Sequence, residues 1–162
     1  MGPKGAKMLA FDEFRESLVQ NAEPIQALSS LKIQQLAEST IDGITGDLWQ
    51  LIKGDTGIKV SATKSPLVAG SKVLHHLIPD LMPPIDRTYT AKFFMWKNRM
   101  QKEPERMFRD TFPRLVRLAR KIDIPAEKHL GAGFNTSLTK ILDNAIVGFI
   151  RLNDLSPDEP LD

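Results

Sequence analysis

The sequence predicts an all-α fold, a single compact domain of six to eight helices. Apolar residues recur at spacings of three and four through most of the chain, the period of a helix face. No run alternates apolar and polar side chains long enough to make a strand. Prolines and glycines fall between the periodic stretches, where they punctuate helix ends. A chain of 162 residues can bury its apolar surface without a metal or a disulfide. It contains no cysteine, which excludes disulfides, thiolate nucleophiles, Cys-ligated zinc and iron–sulfur clusters.

Residues 1–10 read as a flexible lead-in that lacks the apolar core of a signal peptide, and the helical domain follows over 11–155. Phe11, Phe14, Leu18 and Val19 make one face of a first helix. The stretch from Gln20 to Pro24 breaks it, because the residue before proline resists the helical region. Pro24 suits the first turn of a second helix, with Ile25, Leu28, Ile33 and Leu36 as its apolar side. Gly43 and Gly46 mark a turn, and Asp47 to Ile52 is a short helix closed by Gly54 and Gly57. Ile58 to Lys64 is the one segment expected to be extended. Ser65-Pro66 starts the next helix, a capping hydroxyl before a first-turn proline, and the helix runs to about Ile78. Pro79 stops it.

Leu81 to Ile85 is a proline-held loop, and Asp86 opens a helix that continues to about Asn98. Glu103-Pro104 opens another, reaching about Lys121, with Phe108, Phe112, Leu115, Val116, Ala119 and Ile122 on one side. Pro113 is placed to kink it. After a Gly131-Ala132-Gly133 turn, Thr136 to Leu152 carries Leu138, Ile141, Leu142, Ala145, Ile146, Phe149 and Ile150. That density of apolar residues marks it as the central core helix. Residues 156–162, rich in proline and acids, read as a frayed acidic tail.

The net charge of +2 conceals an asymmetry: residues 87–121 hold eleven basic and three acidic side chains, while 1–50 and 122–162 are each net acidic. Arg106, Arg109, Arg117 and Arg120 share the side of their helix opposite the apolar stripe, with Arg87, Lys92, Lys97 and Arg99 upstream. Such a face can neutralise several phosphates, so DNA or another polyanion is the expected partner. An acidic protein surface would use the same face, and a merely solvated helix shows the same charge pattern. No apolar run approaches the roughly 18 residues that cross a membrane, so no membrane partner is expected, and the cytoplasm is the expected location. No cofactor is expected. The sequence leaves the oligomeric state open.

Reactive side chains crowd the stretch from Ser71 to Thr90. His75 and His76 are neighbours, so on a helix they point about 100° apart and do not chelate in the usual i, i+4 way. With His129 as the remaining histidine, no metal site is expected. The pair reads as supporting groups, for helix packing, proton transfer or phosphate contact. Asp86 has two compatible roles: a helix cap, or a general base or cation stabiliser at the mouth of a cleft. Lys72 is either an amine nucleophile or a solvated, snorkelling side chain. A hydrolase built on His75 or His76 with Asp86 would need a nucleophile and an oxyanion motif, and neither is apparent.

Gly70-Ser71-Lys72, followed by an apolar loop and Ile85-Asp86-Arg87, resembles the helix-hairpin-helix DNA glycosylase superfamily over about residues 64–94. In that family a Gly-x-Lys helix follows a glycine hairpin and precedes an apolar loop with a Val-Asp pair. The resemblance implies a glycosylase-like helical fold. It implies that Asp86 is the carboxylate assisting base removal and Lys72 the amine of strand-cutting members. Here Ser65 to Gly70 holds one glycine, and Arg87-Thr88 stands where the family has Thr-His. Ser71-Lys72-x-Leu74-His75-x-Leu77-x-Pro79-x-Leu81, ending in Asp86, also resembles a motif of small, uncharacterised bacterial helical proteins. The expectation is a nucleic-acid-binding helical protein, a divergent or inactive glycosylase-like one. The alternative is a non-enzymatic interaction module using the 87–121 face.

Overall fold

The computed structural model describes residues 10–54, 56–60, 66–96, 102–122 and 126–153. The lead-in before Ala10, the 156–162 tail, the Ser65 cap, the 61–64 part of the extended segment, Lys97 and Arg99 lie outside the described residues. Among those residues there are eight α-helices and no strand. They are α1 (Phe11–Gln20), α2 (Ala22–Leu28), α3 (Ile41–Ile52), α4 (Pro66–Leu77), α5 (Tyr89–Phe93), α6 (Pro104–Lys121), α7 (Ala126–His129) and α8 (Leu138–Leu152). Two turns of 3-10 helix, Ile33–Gln35 and Glu38–Thr40, connect α2 to α3.

The amphipathic spacing of α6 makes it the centre of the molecule. Phe108, Phe112 and Val116 recur every four residues and have no solvent exposure, with Leu115 and Ala119 buried beside them. Truncating either phenylalanine to alanine would cost about 3–5 kcal/mol in lost transfer energy and cavity formation. α3 lies along α6 and sets the Trp49 ring 6.0 Å from that of Phe108. α4 crosses α3 at Gly70, where a Cβ would stand 3.3 Å from the Cα and carbonyl oxygen of Ile52, so a residue without a side chain lets the backbones meet. α8 packs on α5 and α6. The result is one all-helical domain around a single core extending from Leu28 to Ile146. No helix among the described residues is long and apolar enough to cross a membrane.

Four expectations from the sequence are corrected. Gly43 and Gly46 lie inside α3 and form no turn. The buried face of Ile41, Thr45, Leu48, Trp49 and Ile52 outweighs the roughly 1 kcal/mol that each interior glycine costs. The second helix stops at Leu28, because Ser29 Oγ caps the Gln26 carbonyl at 2.8 Å and Ile33 N is drawn to Asp80 O at 2.9 Å. The helix expected from Asp86 to Asn98 is only Tyr89–Phe93. Met95 takes a positive φ of 54°, and the Trp96 amide bonds back to Ala91 O at 2.8 Å, a reversal that turns the Trp96 ring into the core. Finally α8 is a flanking helix: Ala145 is exposed, and so are Phe149 and Leu152, while α6 takes the centre. Pro113 lies within α6, which runs through it unbroken.

Candidate functional site

The loop after α4 is held by reciprocal hydrogen bonds. Ser71 Oγ on α4 accepts from the Ile85 amide at 3.1 Å and donates to Val68 O at 3.1 Å. Ile85 itself has no solvent exposure, so the residue before Asp86 is anchored by both packing and a hydrogen bond. Asp86 Oδ1 then accepts from the amides of Thr88 and Tyr89 at 2.7 and 2.8 Å, while Thr90 Oγ1 accepts from the Asp86 amide at 3.0 Å. The carboxylate thus takes the amide of Tyr89, the first residue of α5, and that of Thr88 just before it, a side-chain turn that caps the chain two residues ahead of the helix's own N-cap, Thr88. No described residue donates to Asp86 Oδ2.

The Asp86 carboxylate also lines a groove of about 710 Å³, open to solvent on one side. Its walls bring together Lys72, His75 and His76 from α4, Asp86 and Tyr89 from the loop and α5, and Lys140, Asp143 and Val147 from α8. Phe134, 84 % exposed, and Thr136 complete the rim. Both histidines line this groove, His75 buried and His76 exposed, with ring centroids 5.8 Å apart.

His75 is the buried one, 8 % exposed, and its environment selects a tautomer. Its Nδ1 lies 2.9 Å from the Met82 carbonyl oxygen, which can only accept, so the proton of the neutral ring sits on Nδ1 and Nε2 keeps its lone pair. Thr139 Oγ1 stands 3.3 Å from the same nitrogen, donates to Pro79 O, and lies 3.0 Å from Ser137 Oγ. Burial pushes the His75 pKa below its ordinary value; the Met82 hydrogen bond opposes that shift without reversing it. His75 is therefore a neutral base with a fixed orientation.

On the opposite wall Asp143, 8 % exposed, pairs with Lys140 at 2.5 Å. Tyr89 receives a hydrogen bond on its hydroxyl from Arg151 at 3.2 Å, and the same guanidinium sits 5.6 Å from its ring centroid. Lys72 is exposed and pairs with no described carboxylate. No group of three or more His, Asp or Glu among the described residues could hold a metal ion.

The basic residues fare differently. None of Arg87, Lys92, Arg106, Arg109, Arg117 and Arg120 lines the groove. Arg106 pairs with Glu103 at 2.8 Å and Arg109 with Glu105 at 2.9 Å, and Arg117 and Arg120 both reach Glu38, at 2.6 and 2.7 Å. The arginine face of α6 is exposed but already engaged with carboxylates. Arg87 is exposed beside the groove loop and Lys92 is half-buried on α5.

The α8 wall escaped the sequence reading. One signal was present: Asp143 interrupts the inward stripe of Thr139, Leu142 and Ile146, and an acid on a buried helix face needs a partner or a purpose. No family model, curated protein or solved structure matches this chain.

Proposed function

We propose that this chain binds nucleic acid and seats one unpaired nucleotide in the groove between α4 and α8. The observation that carries the reading is the meeting of Lys72, His75 and Asp86 with an exposed aromatic ring, Phe134, in a groove of about 710 Å³. An unstacked base needs a flat π-surface, and its phosphates need cations close by. Phe134 and Tyr89 supply rings; Lys72 supplies a cation on the groove wall that pairs with no described carboxylate.

Kinship to helix-hairpin-helix glycosylases is part of this proposal. It is supported by Lys72 and Asp86 facing one groove. It gains nothing from the glycine: Gly70 is buried inside α4 against Ile52, where it serves helix packing. In a base-removing reaction the Oδ2 of Asp86, to which no described residue donates, would face the cation that develops on the sugar, and Oδ1 would stay committed to the loop amides. A lysine nucleophile needs a dry pocket to shed its proton, and Lys72 is exposed, so its role in this reading is phosphate contact.

The test is fluorescence anisotropy with a labelled single-stranded oligonucleotide over a salt series. Binding should weaken linearly in log salt, and Phe134→Ala should cost about 1–3 kcal/mol, the worth of one stacked base. Absence of binding at low salt defeats the reading. Asp86→Asn in a base-release assay decides the enzymatic half: unchanged release, or none from the parent chain, removes it.

A second reading, an interaction module that meets an acidic protein through residues 87–121, is favoured by Glu38, a protein carboxylate already seated on Arg117 and Arg120. An acidic peptide that outcompetes the oligonucleotide would select it.

A further inference from the structure

Most ion pairs on α6 are local. Glu103–Arg106, Glu105–Arg109 and Asp110–Arg114 each join residues three or four apart, the ordinary pattern of a helix surface. One contact breaks that pattern. Glu38, 79 and 82 residues away in sequence, bridges two guanidiniums with both its oxygens. Arg117 gives Nε and Nη2 to Oε1 at 3.1 and 2.6 Å, and Arg120 gives Nη1 to Oε2 at 2.7 Å. Arg120 Nη2 also donates to Leu36 O, which fixes the orientation of that guanidinium.

Two guanidiniums one helical turn apart, aimed at the two oxygens of one anion, form the donor array that a phosphate takes. A carboxylate and a phosphodiester each present a pair of equivalent charged oxygens. Glu38 belongs to the exposed 3-10 turn Glu38–Thr40, which contributes no residue to the buried set. The Glu38 and Arg117 side chains are each more than half exposed, so an anion from solvent reaches them without disturbing the core. Hydrogen bonds from Arg117 and then Arg120 hold the Glu38 carboxyl below the usual carboxylate range, so it is charged at neutral pH.

We infer that Arg117 and Arg120 form a phosphate seat, and that Glu38 occupies it in the unliganded chain as an internal competitor. The identity of the ligand as a nucleic-acid phosphate rests on the function proposed above; the seat is separate from the groove and can be tested alone. Exposed ion pairs are individually weak, so a multivalent anion displaces Glu38 at small cost, and removing its charge should strengthen phosphate binding.

The experiment measures inorganic pyrophosphate affinity of the full chain by calorimetry, for the parent, Glu38→Gln, and Glu38→Gln combined with Arg117→Gln. Glu38→Gln should bind about three- to ten-fold more tightly, and the double variant should lose that gain. Equal affinity of parent and Glu38→Gln overturns the inference, as does a gain that survives Arg117→Gln. Thermal melts of each variant guard against misfolding, and Glu38→Ala must reproduce the gain if charge removal is its cause. The labelled oligonucleotide separates the two claims. A pyrophosphate gain with no oligonucleotide binding refutes the nucleic-acid reading and keeps the seat; oligonucleotide binding without the gain does the reverse.

Discussion

Replacing Asp86 in two ways separates its structural from its chemical role. Its Oδ1 accepts from two amides at 2.7 and 2.8 Å, so Asp86→Ala leaves the Thr88 and Tyr89 donors without that partner. Loss of a capping side chain costs about 0.5–2 kcal/mol, and two donors place this site toward the upper end. In a domain of this size about 1 kcal/mol corresponds to a melting shift of about 2–4 °C, so Asp86→Ala should melt roughly 4–8 °C lower. Asp86→Asn keeps a carbonyl oxygen at the same place and should recover most of that loss while removing the charge. Thermal melting followed by circular dichroism reads the shift, and urea denaturation with an unchanged m-value shows that the comparison is of stability alone. If Asp86→Ala melts with the parent, the loop amides do not depend on the carboxylate and the capping account fails. If Asp86→Asn falls as far as Asp86→Ala, charge and not acceptance holds the loop.

Three further outcomes follow from the packing. Ser71→Ala should cost about 1–3 kcal/mol in urea melts, since it leaves the buried Ile85 amide unpaired; parent-like stability would show that the loop is held by packing alone. Gly57→Ala should destabilise by about 1–3 kcal/mol, because a Cβ would come within 2.4 Å of Leu51 O and 2.5 Å of Gln50 O, and backbone cannot step aside; a neutral result refutes that geometry. His75 has a pKa below its ordinary 6.5, chiefly from burial, so the unfolded chain takes up the proton first as pH falls. Its contribution is complete above about 6.5 and is lost as pH drops toward the native value, by at most about 1.4 kcal/mol per pH unit. The stability difference between parent and His75→Gln should narrow over that window; a constant difference denies the role of His75.

What the sequence disclosed depended on how local the deciding interaction was. The ends of α6 were legible because Pro104 marks the start and Phe108, Phe112 and Leu115 carry the period. Gly43 and Gly46 misled because glycine's turn preference is local, whereas the burial of Ile41 and Leu48 against α6 is tertiary. The α4 half of the groove was readable as one crowded stretch from Lys72 to Asp86. Its α8 half was not, since Lys140 and Asp143 meet that stretch only through packing. The same limit hid the true state of the basic face. Composition reported an excess of cations, but the carboxylate that occupies Arg117 and Arg120 comes from a turn 79 residues earlier.

The division of the groove between residues 72–89 and residues 134–147 has a consequence for the order in which the protein is made. On the ribosome, α4 and its hooked loop emerge and can close early, because Ser71 and Ile85 are only 14 residues apart. The opposite wall does not exist until Val147 has been synthesised and α8 has docked. Until then His75 lacks the neighbour that Thr139 of α8 provides, and the α4 side of the groove stands without its opposite wall. The groove has both walls only once α8 has docked, so a chain that stops short of α8 would lack its second wall.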